Sequence, residues 1–314
     1  MSVQHDKPRN DPLSRIFTES RKERARLLLA NMKKIAKQFR KSRGGMLGVC
    51  VLSFFVLTAI FAPWISRYDD PNDEEWARVN PDFSPPTLDF LFGTDHFGRD
   101  VFSLTWYGAR ASLIVGVVAS LISIILGTVI GLCGGYFGKL PDEILMRLTD
   151  FFLVIPWFPL MIVIASLLGR SFTNVIIVIG ITSWPSTARI VRAQVLSVKE
   201  KGFVERARAV GSGSVRIISR HIMPNVLPLV FANTTLLIAN SIFSESFLDF
   251  FGLGDPTVVS WGTMLEEAYN WEAFARFAWW QIAAPGACIV ALILAFYLIG
   301  EALDDVLNPK LRRR

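Results

Sequence analysis

Residues able to do covalent or acid–base chemistry are few and scattered in this chain. The histidines His5, His96 and His221 lie far apart in the sequence. Among themselves they offer no metal-ligand spacing of the kind zinc sites use, and no metal site is expected. Cys50, Cys133 and Cys288 fall in three different apolar blocks without a Cys-x-x-Cys pair. They read as small apolar residues rather than redox centres. The stretch GGYFGKL at 134–140 superficially looks like a phosphate-binding loop. That loop requires Gly, four residues, Gly-Lys and then a hydroxyl. Here Cys133 stands at the first glycine position and Leu140 at the hydroxyl position, so it is not a nucleotide site. Neither Gly-x-Ser-x-Gly nor His-Glu-x-x-His occurs. Any ATP used in the protein's work is expected to be hydrolysed by another chain.

The spacing that does carry information lies in GFVERARAVGSGSVRIISRHIMPNVLP, residues 202–228. Glu205, Arg206 and Ala207 are followed after three residues by Gly211, and after nine more by His-Ile-Met-Pro at 221–224. A glycine after a short helix permits positive φ or a close backbone approach. Pro224 and Pro228 then restrict where the next helix can begin. An ordinary basic loop would account for Arg206, Arg208 and Arg216 but not for the Glu-to-Gly spacing.

The elements that must position this segment are membrane spans. Of 314 residues 52% are hydrophobic, with mean hydropathy +0.40. The apolar residues come in blocks of about twenty, the length that crosses a ~30 Å hydrocarbon layer. The blocks run near 46–65, 109–136, 151–168, 174–190, 225–247 and 282–300. Lys and Arg number thirteen before the first block, three in 66–107, two in 137–149, one in 169–173, eight in 189–220, one in 248–281 and four after the last block. This alternation places both termini and the 199–224 loop in the cytoplasm, with 66–107 and 248–281 outside. It also accounts for the net charge of +6 without nucleic acid.

Within the first 45 residues, Leu28, Met32, Ile35 and Phe39 repeat on one helical face beside Lys33, Lys34, Lys37 and Arg40. That reads as a basic amphipathic helix on an anionic lipid surface. Gly127, Gly131 and Gly135 recur every four residues, a face for close helix packing. Pro156 and Pro159 in the third block and Pro185 in the fourth predict kinks. No block carries an acidic residue near its middle, which argues against an ion-coupled or self-contained transporter.

The 202–224 spacing resembles the Glu-Ala-Ala loop of permease subunits from ATP-binding-cassette importers. It departs at Arg206, His221 and Met223, and His at position 221 is usual in the peptide branch. FLFGTDHFGRDVFSLTWYGARASLIVG at 90–116 resembles the segment before the second span in C-type dipeptide, oligopeptide and nickel permeases. Gly93, Thr94, Asp95, Gly98, Arg99 and Asp100 carry that likeness. FFGLG, SWGTMLEEA and the closing LNPKL at 307–311 follow the same branch, so the resemblance runs from about Arg43 to Leu311.

The resemblance implies an all-α integral membrane protein with the type I importer permease fold and six transmembrane helices. The expected organisation is a basic cytoplasmic segment 1–45, a first helix 46–65 and an extracytoplasmic loop 66–107. A permease core 108–300 and a cytoplasmic tail 301–314 complete it. Glu205, Ala207 and Gly211 would couple the chain to an ATPase. The implied partners are a homologous B-type permease, two ATPase subunits that bind the ATP and magnesium, and an extracytoplasmic solute-binding protein. The implied setting is a prokaryotic cell membrane. Dipeptides or oligopeptides are the expected cargo; nickel or oligosaccharide cargo stays open for this branch.

Overall fold

The computed structural model describes residues 36–66 and 80–307. Among these residues the regular structure is helical, apart from one isolated antiparallel bridge between Thr94 and Asp100. The expected amphipathic face at Leu28, Met32 and Ile35, and most of the closing LNPKL stretch, lie outside the described residues.

The first helix, α1, spans Arg43–Ile65 and is capped by Ser42, whose hydroxyl accepts from the Gly45 N–H at 3.2 Å. Next comes α2, Val101–Phe137, whose 37 residues make it about 55 Å long. It begins earlier than the hydropathy block because Asp100 caps it, accepting from the Ser103 N–H at 3.0 Å and its hydroxyl at 2.6 Å. Then follow α3 Lys139–Val154, α4 Trp157–Leu168, α5 Phe172–Thr182 and α6 Trp184–Lys199. The short α7, Gly202–Ala209, leads to α8, Ser214–Phe250, which contains a π-helical turn at Ile218–Ile222. A surface helix α9, Trp261–Asn270, precedes α10, Trp280–Leu307.

The third block is not one helix from 151 to 168. It is split between α3 and α4, which meet at 92°. Ile155 is extended there, at φ −72° and ψ 132°, as expected of a residue whose helical conformation is blocked by the following proline ring. At 12 residues, α4 is about 18 Å long and cannot span alone. The pair nonetheless carries the chain across. One end of α3 sits where Asp142 grips Arg192 of α6 through two hydrogen bonds of 2.6 Å. Beyond α4, Arg170 pairs with Glu266 at 3.2 Å at the far end of the bundle. Counting the bent pair as one span gives six crossings.

The bundle is organised around α2, which packs against α1, α5, α6, α8 and α10. Its closest neighbour is α6, because Gly127, Gly131 and Gly135 leave no side chain between the backbones. A Cβ at Gly127 would stand 2.7 Å from the Trp184 carbonyl oxygen, and one at Gly131 would stand 2.6 Å from that of Ala188. Gly135 faces Val195 in the same way. At the chain ends, a Cβ on Gly45 of α1 would meet Ala302 of α10. The first and last described helices therefore begin and end at the same face of the bundle. Leu57, Ile60 and Phe61 of α1 and Leu121, Ile125 and Val129 of α2 point outward, as a lipid-facing surface requires.

Candidate functional site at the two ends of the helix bundle

At the end bearing Phe137 and Lys199, α7 lies across the tips of α6 and α8. Its inner side is anchored by Val204, which packs with Ile217 and Ile222 of α8 and with Val191, Val195 and Val198 of α6. All six are essentially inaccessible. That cluster makes α7 a rigid extension of two membrane helices rather than a floppy loop. Lys199 reinforces it by donating to the Tyr136 carbonyl at 2.6 Å.

On the outer side of α7, Glu205, Arg206 and Arg208 are exposed and Ala207 is half-buried. Val210 and Val215 are 85% and 81% exposed, two apolar side chains set among charges. The helix stops in a Schellman arrangement: Gly211 N–H donates to Arg208 O at 3.0 Å and Ser212 N–H to Ala207 O at 3.1 Å. Gly211 has φ +80°, and nothing lies within 4 Å of where its Cβ would be. The position needs glycine for its backbone conformation alone. A buried inner face and an outer face of mixed charge and exposed valine suit docking of a second protein.

At the opposite end, the 93–100 motif folds into a tight knot. Gly93 and Gly98 both take positive φ, +71° and +77°. Thr94 donates its hydroxyl to the Pro81 carbonyl at 2.6 Å and accepts from the Ser84 N–H at 2.8 Å. The Thr94 carbonyl in turn accepts from Trp280 Nε1 at 3.0 Å and Gln281 Nε2 at 3.2 Å, tying the knot to the start of α10. Asp95 accepts from the Phe97 and Arg99 N–H groups at 2.9 and 2.8 Å and from Arg99 Nε at 2.6 Å. Arg99 also pairs with Glu267 of α9. Burial opposes the charge on Arg99, but Asp95 and Glu267 together outweigh it and hold its pKa above the ordinary value. The motif thus staples the start of α2 to α9 and α10.

His96 lies stacked on Trp271, with ring centroids 4.6 Å apart and planes 19° apart. Burial first, and then the charge of Arg99, press its pKa from 6.5 to about 4, against a smaller opposing pull from Asp82. It is neutral at ordinary pH. Asp95, His96 and Glu267 bring ligand-capable atoms within 4.8 Å of one another. The spacing of the histidines gave no hint of this grouping. Arg99 already engages both carboxylates, so the group acts as a partly buried ion-pair cluster.

A second acidic feature escaped sequence reasoning. Glu245 and Asp249, one turn apart near the end of α8, are 1% and 5% exposed. Glu245 accepts from the Ser112 hydroxyl of α2 at 3.0 Å and from the Ser246 hydroxyl at 3.1 Å. Asp249 accepts from the Ser260 hydroxyl at the α9 cap. The visible signal was the pair of acids four residues apart, flanked by serines, inside an apolar run.

Residues 31–86 match the N-terminal transmembrane domain of oligopeptide transport permease C, and residues 123–313 match the binding-protein-dependent transport system inner membrane component. Over 88% of its length the chain is 36% identical to the oligopeptide transport system permease protein OppC of Bacillus subtilis, covering 88% of that protein. It is 35% identical to the dipeptide transport system permease protein DppC of the same organism, covering 85% of it. The di/tripeptide transport system permease protein DppC of Pseudomonas aeruginosa is 32% identical over 99% of both chains. A solved inward facing structure of the MetNI methionine ABC transporter superposes with a TM-score of 0.52 at 18% identity, over 66% of this chain and 95% of that one. The fold is therefore shared with an importer permease. With most of its length matched, the chain belongs to the family of binding-protein-dependent transport system inner membrane components.

Proposed function

We propose that the chain is one of two different permease subunits of an ATP-binding-cassette importer that takes up dipeptides or oligopeptides. The carrying observation is the 35–36% identity, along 88% of the chain, to permeases named for oligopeptide and dipeptide transport. The other permease would be a homologous B-type subunit. Two ATPase subunits would bind ATP and magnesium and hydrolyse the nucleotide. A solute-binding protein would deliver the peptide from outside.

In this reading the α7 end of the bundle is cytoplasmic, as the excess of Lys and Arg around it supports. Glu205, Ala207 and Gly211 serve the docking of α7 into an ATPase. Movement of that subunit on ATP binding shifts α7, and the Val204 cluster transmits the shift to α6 and α8. The 93–100 knot and α9 form the outer surface that receives the binding protein, and the chain works in the inner membrane of a prokaryote. The test is uptake of a labelled peptide by proteoliposomes holding the four membrane-associated subunits. Uptake should require ATP inside and the binding protein outside. Uptake by this chain alone would refute the assignment in favour of a self-contained transporter.

A further inference from the structure

Two interruptions in the membrane helices meet at one place. The 92° bend between α3 and α4 at Ile155–Pro156 and the one-residue interruption at Ser183, where α5 passes into α6 within a single 28-residue span, both border a cavity of about 360 Å³. From Trp157 to the outer end of α4 is 12 residues, α5 has 11, and Asn240 on the third wall is ten residues from the end of α8. At 1.5 Å per residue each wall places the cavity about 15–18 Å below the outer ends of the helices. That is the middle of a ~30 Å hydrocarbon layer.

Broken helices at this depth are stable only where they line protein or a water-filled path. Neither Pro156 nor Ser183 caps the helix that follows it with a side chain. Pro159 and Pro185 carry no N–H, which leaves the N–H groups of Trp157 and Phe158 in α4 and of Trp184 and Ser186 in α6 without a side-chain cap. The last carbonyls of α3 and α5 are at the same two breaks. Pro185 removes the donor that would otherwise engage the Ile181 carbonyl. The side chains add neutral polar groups, namely Thr182, Ser183, Ser186 and Asn240, among Ile155 and Trp157. Among the described residues no charged side chain lines the cavity. Ser186 and Asn240 are exposed, so its open side faces away from the bundle. The volume holds about twelve waters at ~30 Å³ each, or a short run of extended chain.

We propose that this cavity is a mid-membrane station for the main chain of a peptide in transit, bound by backbone donors and acceptors with Ser183, Ser186 and Asn240. The proposal rests on the peptide-import reading. A wall of main-chain and neutral polar groups engages the amides that every peptide carries and leaves its side chains unread. Each engaged amide exchanges hydrogen bonds with water for bonds with the wall, which keeps binding weak enough for release.

The test uses the full complex in proteoliposomes, with tripeptides of alanine, glutamate or lysine as cargo. Ser186→Trp fills the cavity, and Asn240→Leu removes its amide. Each should lower uptake about tenfold, the effect of one or two lost hydrogen bonds. The loss should be similar for all three cargoes, with ATP hydrolysis stimulated by the loaded binding protein retained. Unchanged uptake overturns the proposal, as does a loss confined to one cargo charge. If Ser186→Trp lowers uptake and ATP hydrolysis together, the smaller Asn240→Ala decides on the same uptake-to-hydrolysis ratio. A fall in that ratio supports the station and an unchanged ratio overturns it. A wild-type complex that hydrolyses ATP and imports no peptide refutes the import reading itself, an outcome separate from any variant effect.

Discussion

Gly131→Ala probes the contact on which the bundle is built. The added Cβ would stand 2.6 Å from the Ala188 carbonyl oxygen and 2.7 Å from Val191 Cβ. Ordinary contact begins near 3.5 Å, so α2 and α6 must separate by about 0.9 Å. A gap of that size forfeits roughly a quarter to a half of the dispersion energy along the facing rows. The obstacle is main chain held in a helix, which cannot swing aside as a side chain would. Overpacking of this kind costs about 1–3 kcal/mol, offset in part by ~1 kcal/mol of better helix propensity for alanine. Gly286→Ala in α10 is the control, because nothing lies within 4 Å of its Cβ position. It should be neutral or stabilising by up to ~1 kcal/mol. The assay is thermal unfolding of the purified complex in detergent, followed by intrinsic tryptophan fluorescence. At about 2–4 °C per kcal/mol for a protein of this size, Gly131→Ala should lower the midpoint by a few degrees and Gly286→Ala should not. Equal midpoints for the two variants would refute the close-packing argument.

The outer knot makes two further predictions. Arg99 is partly buried between Asp95 and Glu267, so a double-mutant cycle of Arg99→Gln and Glu267→Gln should give a coupling of about 1–2 kcal/mol in unfolding measurements. Simple additivity would show the pair contributes nothing. His96 is held neutral, with its pKa lowered from 6.5 to about 4. An unfolded chain binds this proton more readily, so stability should fall as pH drops from about 6.5 towards 4 and level off below. The upper limit is about 3 kcal/mol at 1.36 kcal/mol per unit, reduced about twofold by solvent screening. His96→Gln should flatten that part of the stability profile, and a profile unchanged by the substitution would remove His96 as its source.

Much of this organisation is readable from residue order because membrane spans announce themselves by length. The blocks near 46–65 and 282–300 lie inside α1 and α10. What hydropathy cannot supply is geometry set by polar caps and by distant partners. The start of α2 at Val101 depends on Asp100 and Ser103, inside a segment that composition assigns to a loop. The helix α9 lies within the 248–281 connection, marked only by the Ser260–Thr263 capping box. Prolines flagged the third block as kinked, but the 92° bend depends on Ile155 being extended between two helices. Arg99 and Glu267 are 168 positions apart, and Ser112 and Glu245 are 133 apart. One sequence carries no trace of such pairings. The Glu205–Gly211 spacing, by contrast, is local, and a Schellman stop at Gly211 is the kind of feature local sequence encodes.

On the function proposed above, α7 transmits the work of a separate ATPase to the membrane helices. Gly211→Asp tests it most directly. The φ of +80° imposes about 1–2 kcal/mol of strain on a side-chain-bearing residue, and Asp adds a charge on the docking face without touching the bundle. In the assembled complex, peptide uptake and binding-protein-stimulated ATP hydrolysis should be measured together. Uptake should fall at least about tenfold, and stimulation of hydrolysis should fall with it, while insertion and subunit assembly stay intact. An assembled Gly211→Asp complex that imports peptide at the wild-type rate would contradict it.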